Sequence, residues 1–302
     1  MQGLMKLAGI IPHTVEIEPG TVMSFWVPSE TIKKSGKNKE INKQKPKKPV
    51  VVLVHGFAAE GIVTWQFQVG ALTSKYSVYV PDLLFFGGST TDSSDRSPAF
   101  QAECLVKGLG KLGVDKCTVV GFSYGGMVAF KMAELYPNLV ESLVVSGSIL
   151  AMTDSISNET LNRLGFSSSS ELLLPSSVKG LKALLSVAAH KRLWFPDCLH
   201  KDFLEVMFTN RKERAELLEA LVISNKDPTI PNLTQRIHLL WGEKDQIFNL
   251  DLAHNMKGQL GEKVTLKDIK KGGHLVHLER PCVYNRCLKE FLASLQPVGA
   301  QQ

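Results

Sequence analysis

Ser123 is the residue whose surroundings point most directly to chemistry, because it stands within Gly121-Phe122-Ser123-Tyr124-Gly125. The β-branched run that ends at Val120 predicts a buried strand before it, and the pattern of 127–136 predicts a helix after it. Ser123 is therefore expected at a sharp strand-to-helix turn, with a strained, positive φ that exposes its hydroxyl. A Cβ at either flanking glycine would collide with neighbouring backbone. The N–H groups that open the helix would face an oxyanion formed beside the serine.

A nucleophilic serine needs a base within hydrogen-bond distance and an acid that holds the base in one tautomer. Asp245 follows the predicted strand 237–241, and His274 follows the predicted strand 263–269. Since the carboxyl ends of parallel strands meet at one edge of a sheet, we expect both side chains beside Ser123. The order Ser, Asp, His along the chain predicts a hydrolytic triad.

Other residues are alternatives for the base and the acid. His277 lies one helical turn after His274, but the Gly-Gly-His sequence favours His274. Asp251 falls inside a predicted helix, and Asp82 follows a different predicted strand. Asp245 is preferred to both as the acid.

The elements that position these residues alternate between strand and helix from 49 to 147, which predicts right-handed crossovers and an α/β, mostly parallel, doubly wound sheet. Val50 to Val54 is apolar without alternation, as is typical of a strand covered on both faces. Two earlier strand patterns, 13–18 and 21–27, are joined by a turn sequence and predict an N-terminal antiparallel hairpin.

The strand and helix rhythm stops after residue 147. Residues 148–232 carry several helical patterns and no convincing strand, which predicts a helical cap insertion over the active edge of the sheet. The predicted organisation is a core domain in two parts, 13–147 and 233–295, with the cap between them. A short amphipathic helix is expected within residues 1–12.

Four motifs, in this order, resemble those of the α/β-hydrolase superfamily. They are His55-Gly56-Phe57 after a strand, the elbow around Ser123, Gly242 to Asp245, and Gly273-His274 with Glu279-Arg280-Pro281 downstream. The resemblance covers about residues 14–295. Within the superfamily, the chain is similar to capped serine esterases and monoacylglycerol lipases, including plant members.

The resemblance implies an α/β-hydrolase fold and a role for each motif. Ser123 would be the nucleophile, His274 the base and later the acid, and Asp245 the orienting carboxylate. The backbone N–H groups of Phe57 and Tyr124 would form the oxyanion hole. His55 would stabilise its own loop, and neither a cofactor nor a metal ion is implied.

The nucleophile narrows the reaction. Epoxide hydrolases and haloalkane dehalogenases of this fold attack with an aspartate, so the serine at position 123 disfavours both. A serine forms an acyl-enzyme, which fits carboxylic esters such as monoacylglycerols. Two alternatives stay open: a ligand-sensing receptor on a hydrolase fold, and a carbon–carbon bond hydrolase of the meta-cleavage type.

Apolar residues of the predicted cap are candidates for the substrate pocket, although apolar residues at helical spacing are also typical of core packing. Trp194, Phe195, Met207 and Phe208 are the ones we select. His190 and His200, in the same segment, are interpreted as surface histidines.

The net charge of +6 comes from one segment, since Lys33 to Lys48 holds eight lysines against Glu40. This segment has no interleaved aromatic residues, so nucleic-acid binding is not expected. We interpret it as a solvated, disordered loop, with contact to anionic lipids as the alternative. Peripheral membrane contact is also an option for residues 1–12.

Five cysteines lack both the even count of a disulfide framework and the spacing of a zinc site. This usage favours a reducing, cytoplasmic location. No apolar run is long enough to span a bilayer, and no secretory signal is apparent. The expected partner is a small-molecule ester; the oligomeric state is left open.

Overall fold

The computed structural model describes residues 2–35, 38–41, 46–191, 195–225 and 230–296. The strands are β1 (Ile10–Glu18), β2 (Thr21–Pro28), β3 (Ile32–Ser35), β4 (Asn38–Ile41), β5 (Val50–Val54), β6 (Ser77–Pro81), β7 (Thr90–Thr91), β8 (Cys117–Phe122), β9 (Val140–Ser146), β10 (Met152–Thr153), β11 (Val222–Ile223), β12 (Arg236–Gly242) and β13 (Val264–Ile269). The helices are α1 (Gln2–Leu7), α2 (Gly61–Thr64), α3 (Gln66–Leu72), α4 (Pro98–Lys111), α5 (Tyr124–Leu135), α6 (Asp154–Leu164), α7 (Ser169–Leu173), α8 (Val178–Ala188), α9 (Asp197–Met207), α10 (Arg211–Leu221), α11 (Leu250–Leu260), α12 (Val276–Glu279) and α13 (Pro281–Ser294).

Within these ranges the central sheet has nine strands, and eight of them follow the order β1-β2-β6-β5-β8-β9-β12-β13, with β7 paired to β2. Pairing is parallel from β6 through β13 and antiparallel between β1 and β2 and between β2 and β6. This arrangement confirms the predicted α/β-hydrolase fold, with its mostly parallel sheet and N-terminal hairpin.

Strand β5 explains why the central strands show no alternation of polar and apolar residues. Val52 and Val54 pack in the apolar cluster on one face of the sheet, and Val51 and Leu53 pack in the cluster on the other. Helices cover both faces, so every side chain of β5 is buried. The carboxyl ends of these strands remain the edge where loops can carry reactive groups.

Helices α6 to α10 lie between β9 and β12, within the segment predicted as a cap. Leu172, Leu184 and Leu217 belong to the same buried cluster as the strands, so these helices pack directly on the core. The expectation of no strand in this segment is wrong, because β10 and β11 form a short parallel pair at its two ends. The domain boundaries at 148 and 232 stay a prediction.

The N-terminal helix is shorter than predicted, since α1 ends at Leu7 and β1 begins at Ile10. Leu4 and Leu7 expose 66% and 85% of their surface, so α1 presents apolar side chains to solvent. Membrane contact through this helix stays a prediction. Within the described ranges, no helix combines the length and the apolarity that a membrane crossing requires.

The lysine-rich segment contains regular structure where its composition predicts a disordered loop. β3 and β4 pair as an antiparallel hairpin, which places Lys34 opposite Lys39. Backbone pairing thus organises this part of the segment in spite of its charge. The prediction of a disordered loop at positions 36, 37 and 42–45 lies outside the described residues, and contact with lipids stays a prediction.

Candidate active site

Ser123 occupies the turn between β8 and α5, with φ 52° and ψ −122°. A Cβ at Gly121 would lie 2.6 Å from the carbonyl oxygen of Gly125, and a Cβ at Gly125 would collide with the carbonyl oxygens of Val54 and His55. Only glycine fits at either position. The predicted positive φ at Ser123 and the predicted collisions are therefore confirmed.

His274 bridges Ser123 and Asp245. Its Nε2 lies 3.1 Å from the Ser123 Oγ, and its Nδ1 lies 2.8 Å from Oδ2 of Asp245. With the proton on Nδ1 donated to the carboxylate, Nε2 is the acceptor for the serine hydroxyl. The structure thus brings together the three residues selected from the sequence, in the order of contact that their expected roles require.

The backbone holds the Asp245 carboxylate in place. Oδ1 accepts hydrogen bonds of 2.9 Å from the N–H groups of Ile247 and Phe248, which leaves Oδ2 for His274. The side chains of Asp245 and His274 are only 1% and 6% exposed. Because water is excluded, the interaction between them is stronger than it would be at the surface.

Contacts with the cap segment position the loop that carries His274. The N–H of Leu275 donates to the carbonyl of Ala188 at 3.0 Å. The Glu279 carboxylate accepts from the N–H groups of Gly273, at 2.7 Å, and Lys191, at 2.9 Å. The base loop is therefore tied to the end of α8, a link that the sequence motif alone did not reveal.

The oxyanion candidates lie on either side of the serine. A Cβ on Gly56 would come within 3.2 Å of the Ser123 Cβ, so the loop that carries Phe57 runs directly beside the nucleophile. Tyr124 is the first residue of α5, where an N–H has no acceptor within the helix. The rings of Phe57 and Tyr124 meet edge to face, with centroids 5.8 Å apart. Both residues therefore lie close to Ser123, and the role of their N–H groups as oxyanion donors stays a prediction.

Comparisons with known proteins agree with this geometry. The family model for the alpha/beta hydrolase fold matches residues 49–173. Human epoxide hydrolase 4 is 24% identical over 81% of this chain and 72% of its own length, and human monoacylglycerol lipase ABHD6 is 25% identical over 82% and 76%. The chain is therefore similar to α/β hydrolases over most of its length and has the α/β-hydrolase fold. The crystal structure of a 2-hydroxy-6-oxo-6-phenylhexa-2,4-dienoate hydrolase from a Rhodococcus species has the same fold, with a TM-score of 0.75, 20% identity and coverage of 94% and 99% of the two chains.

His55 has the structural role expected of it. Its Nδ1–H donates to the Gly56 carbonyl at 2.6 Å, and its Nε2 accepts from the N–H of Leu83 at 2.9 Å. Burial lowers the pKa of His55 to about 4, so the ring stays neutral in this fixed tautomer. It joins the loop before Phe57 to the loop after β6.

The alternative acids and base do not join the triad. His277 is fully buried against Trp65 and Phe122, and burial lowers its pKa to about 3. Asp82 accepts from the N–H of Gly61 at 2.8 Å, and burial raises its pKa to about 7. Asp251 lies on the exposed side of α11.

A cavity of about 380 Å³ opens beside Ser123 and His274. Its walls are mostly apolar and come from the loop after β5, from α8 and α9, and from the base loop. The cap residues among them are Leu173, Leu181, Leu184, Leu185, Ala188, Phe195, Leu199, His200 and Phe203. A smaller cavity of about 50 Å³ also borders Ser123 and Phe57.

The pocket residues selected from the sequence have different outcomes. Phe195 lines the larger cavity. Met207 and Phe208 are buried in the core cluster and line neither of these two cavities, so the structure does not place them at the site. Trp194 lies outside the described residues. His200 is 4% exposed and lines the cavity, so its interpretation as a surface histidine is wrong, whereas His190 is exposed.

Proposed function

We propose that the protein is a serine carboxylester hydrolase that cleaves lipophilic esters of medium size, such as monoacylglycerols, through an acyl-enzyme on Ser123. The observation that carries the proposal is the hydrogen-bonded chain from Ser123 through His274 to Asp245 at the floor of an apolar cavity. The similarity to a monoacylglycerol lipase supports the same substrate class.

In the proposed acylation step, His274 Nε2 takes the proton of the Ser123 hydroxyl while Oγ attacks the ester carbon. The carbonyl π electrons move to the oxygen, and the N–H groups of Phe57 and Tyr124 donate hydrogen bonds to it. His274 then gives the proton to the leaving alkoxide as the carbon–oxygen bond breaks. The imidazolium that forms between these transfers is stabilised by the Asp245 carboxylate.

Deacylation repeats the same steps with water. His274 removes a proton from a water molecule, which attacks the acyl carbon, and the tetrahedral oxyanion occupies the same donors. Collapse of this intermediate breaks the bond to Ser123 Oγ, which recovers its proton from His274. The carboxylic acid then leaves. The apolar residues of α8 and α9 line the cavity in which the acyl group would lie.

The test is hydrolysis of p-nitrophenyl esters from acetate to palmitate by the wild type and by Ser123→Ala. Ser148→Ala is the matched control, because Ser148 is a buried serine that packs close to Gly126 of the elbow. We expect activity in the wild type and the control, and a loss of at least about 10³-fold in Ser123→Ala.

Retained turnover in Ser123→Ala would contradict the proposal. Negligible ester turnover by a folded wild type would favour one of the two alternatives. A receptor would bind ligand stably with slow turnover, and a carbon–carbon hydrolase would cleave a dienol substrate of the meta-cleavage type.

A further inference from the structure

Phe86 lies between the cap and the loop that carries the candidate oxyanion donor Phe57. Its ring is fully buried, and its centroid lies 5.3 Å from that of Phe57 and 4.9 Å from that of His55, both edge to face. The guanidinium carbon of Arg214, on α10, lies 4.1 Å from the Phe86 centroid. One aromatic ring thus contacts a cap cation and both aromatic residues that flank Gly56.

Arg214 is held rigidly although it carries a charge. Its side chain is 1% exposed; Nε donates to the carbonyl of Phe85 at 3.0 Å, and one terminal nitrogen donates to the carbonyl of Met207. Burial lowers its pKa to about 10, so the guanidinium remains charged at neutral pH. A planar cation in this setting keeps the Phe86 ring against one face.

The loop that presents Phe86 depends on the cap for its conformation. Phe85 has φ 72°, an unfavourable value for a residue with a bulky side chain. Its carbonyl accepts from Arg214 and, at 3.0 Å, from the side-chain amide of Asn210. Two donors from the start of α10 thus fix the strained residue that comes directly before Phe86.

The loop 83–86 also contacts, through hydrogen bonds, the loop that carries Phe57. The N–H of Leu83 donates to His55 Nε2, and His55 Nδ1–H donates to the carbonyl of Gly56, the residue that precedes Phe57. Hydrogen bonds and ring contacts therefore run without a gap from the cap arginine to the peptide that carries the Phe57 N–H.

We propose that Arg214 is a positioning residue for the oxyanion hole. The packing of α10 on the loop 83–86 holds Phe86 in contact with Phe57, and this contact aligns the Phe57 N–H with the developing oxyanion. Arg214 is not among the described residues that line either cavity, so it acts on the reaction through Phe86 and not through the substrate. This inference rests on the proposed function, because it assigns a residue to the same serine-dependent reaction.

The test compares Arg214→Met and Phe86→Leu with the control Arg96→Met. Arg96 also joins the same two elements, since it pairs with Glu216 of α10 at 2.8 Å and lies 4.6 Å from the Phe85 ring centroid, but its guanidinium stacks on Phe85 and not on Phe86. The control therefore weakens the link between α10 and this loop while it leaves the cation on Phe86 in place. Phe86→Leu keeps an apolar side chain but removes the aromatic ring, so it tests the ring contact even if Arg214→Met fails to fold.

Three measurements are made on full-length protein with a p-nitrophenyl ester: kcat, KM and the inhibition constant of phenylboronic acid, which forms a tetrahedral adduct with a nucleophilic serine. We expect kcat to fall about 10- to 100-fold in both test variants, because one oxyanion donor contributes about 10²–10³ in rate and is here displaced, not deleted. The inhibition constant of phenylboronic acid should rise by a similar factor, whereas KM should change by less than about threefold.

The double variant of Arg214 and Phe86 should be hardly slower than the slower single variant, since both substitutions disrupt one chain of contacts. Equal losses in Arg96→Met and Arg214→Met, or unchanged boronate affinity in slow variants, would overturn the proposal. Such a result would leave serine-dependent activity intact, whereas failure of the proposed function itself would appear as turnover that survives Ser123→Ala.

Discussion

Gly147 offers a test of the triad geometry that leaves every triad residue in place. It follows β9 with φ +52°, and a Cβ added to it would lie 2.8 Å from Cε1 and Nδ1 of His274 and 3.1 Å from Oδ2 of Asp245. Ordinary contact begins at 3.4 Å, so Gly147→Ala requires about 0.6 Å of movement, and we expect the imidazole to take up most of it. A shift of that size along the 2.8 Å hydrogen bond with Asp245 would lengthen it beyond the normal range for N–H···O.

The expected result for Gly147→Ala is a fall in kcat of about 10- to 100-fold, since a misplacement of about 1 Å can cost 10²-fold. A left-handed alanine also costs about 1–2 kcal/mol of stability. The matched control is Gly165→Ala, at the end of α6. Gly165 has φ +76°, and, apart from its own chain neighbours, no heavy atom of the described residues lies within 4 Å of the place that its Cβ would take.

Steady-state kinetics with a p-nitrophenyl ester and urea unfolding are measured for both variants. Together they separate the effect of backbone strain from the effect of displacing the His274 imidazole. Gly165→Ala should lose stability with activity retained, and Gly147→Ala should lose both. The reasoning is refuted if the two variants lose activity equally, or if Gly147→Ala keeps the wild-type kcat to within about a factor of two.

Three further predictions address the acid, a buried carboxyl and the cavity. Asp245→Asn should lower kcat by about 10³–10⁴-fold with the fold intact by circular dichroism, because the orienting charge is lost; a loss below about tenfold would argue for another acid. The folded pKa of Asp82, about 7, lies above its ordinary 3.8, so its contribution to stability is complete below about pH 3.8 and is lost as the pH rises through 7. In the wild type, this loss should lower the unfolding free energy by about 2 kcal/mol between about pH 5.5 and 8, and Asp82→Asn should remove that decline. Urea unfolding over this pH range measures it; the same dependence of unfolding free energy on pH in both proteins would contradict the raised pKa. Leu184→Trp narrows the larger cavity and should reduce palmitate hydrolysis at least about tenfold relative to acetate hydrolysis; an unaltered chain-length profile would place the acyl chain elsewhere.

Much of the sheet could be predicted from the sequence because its strands are covered on both faces. In a chain of this composition, a short continuous apolar run such as Val50 to Val54 is hard to interpret as anything other than a buried strand. Parallel strands then bring the residues that follow them to one edge, which is how Ser123, Asp245 and His274 could be selected together.

The lining of the cavity could not be predicted in the same way. On α9, Leu199, His200 and Phe203 line the cavity, whereas Met207, at the end of the same helix, is buried in the core cluster. Helical periodicity identifies an apolar stripe but not which part of the stripe meets a cavity and which part meets the core. Chemical type was no better a guide, since a histidine lines the wall and a methionine does not.

The segment predicted as a cap contacts two loops that border the candidate site, the loop that carries His274 and the loop 83–86. Ala188 and Lys191 hold the base loop through Leu275 and Glu279, and α10 holds the loop next to His55 and Phe57 through Arg214. Each of these contacts joins residues far apart in sequence, so none is visible in a local motif. The motifs identify which groups could react, and we expect the distance between His274 and Ser123 and the direction of the Phe57 N–H to depend on how the helices of 154–221 pack on the sheet edge. We therefore expect substitutions in this segment that lie away from the cavity to change kcat, and such an effect would distinguish the segment from one that only encloses a pocket.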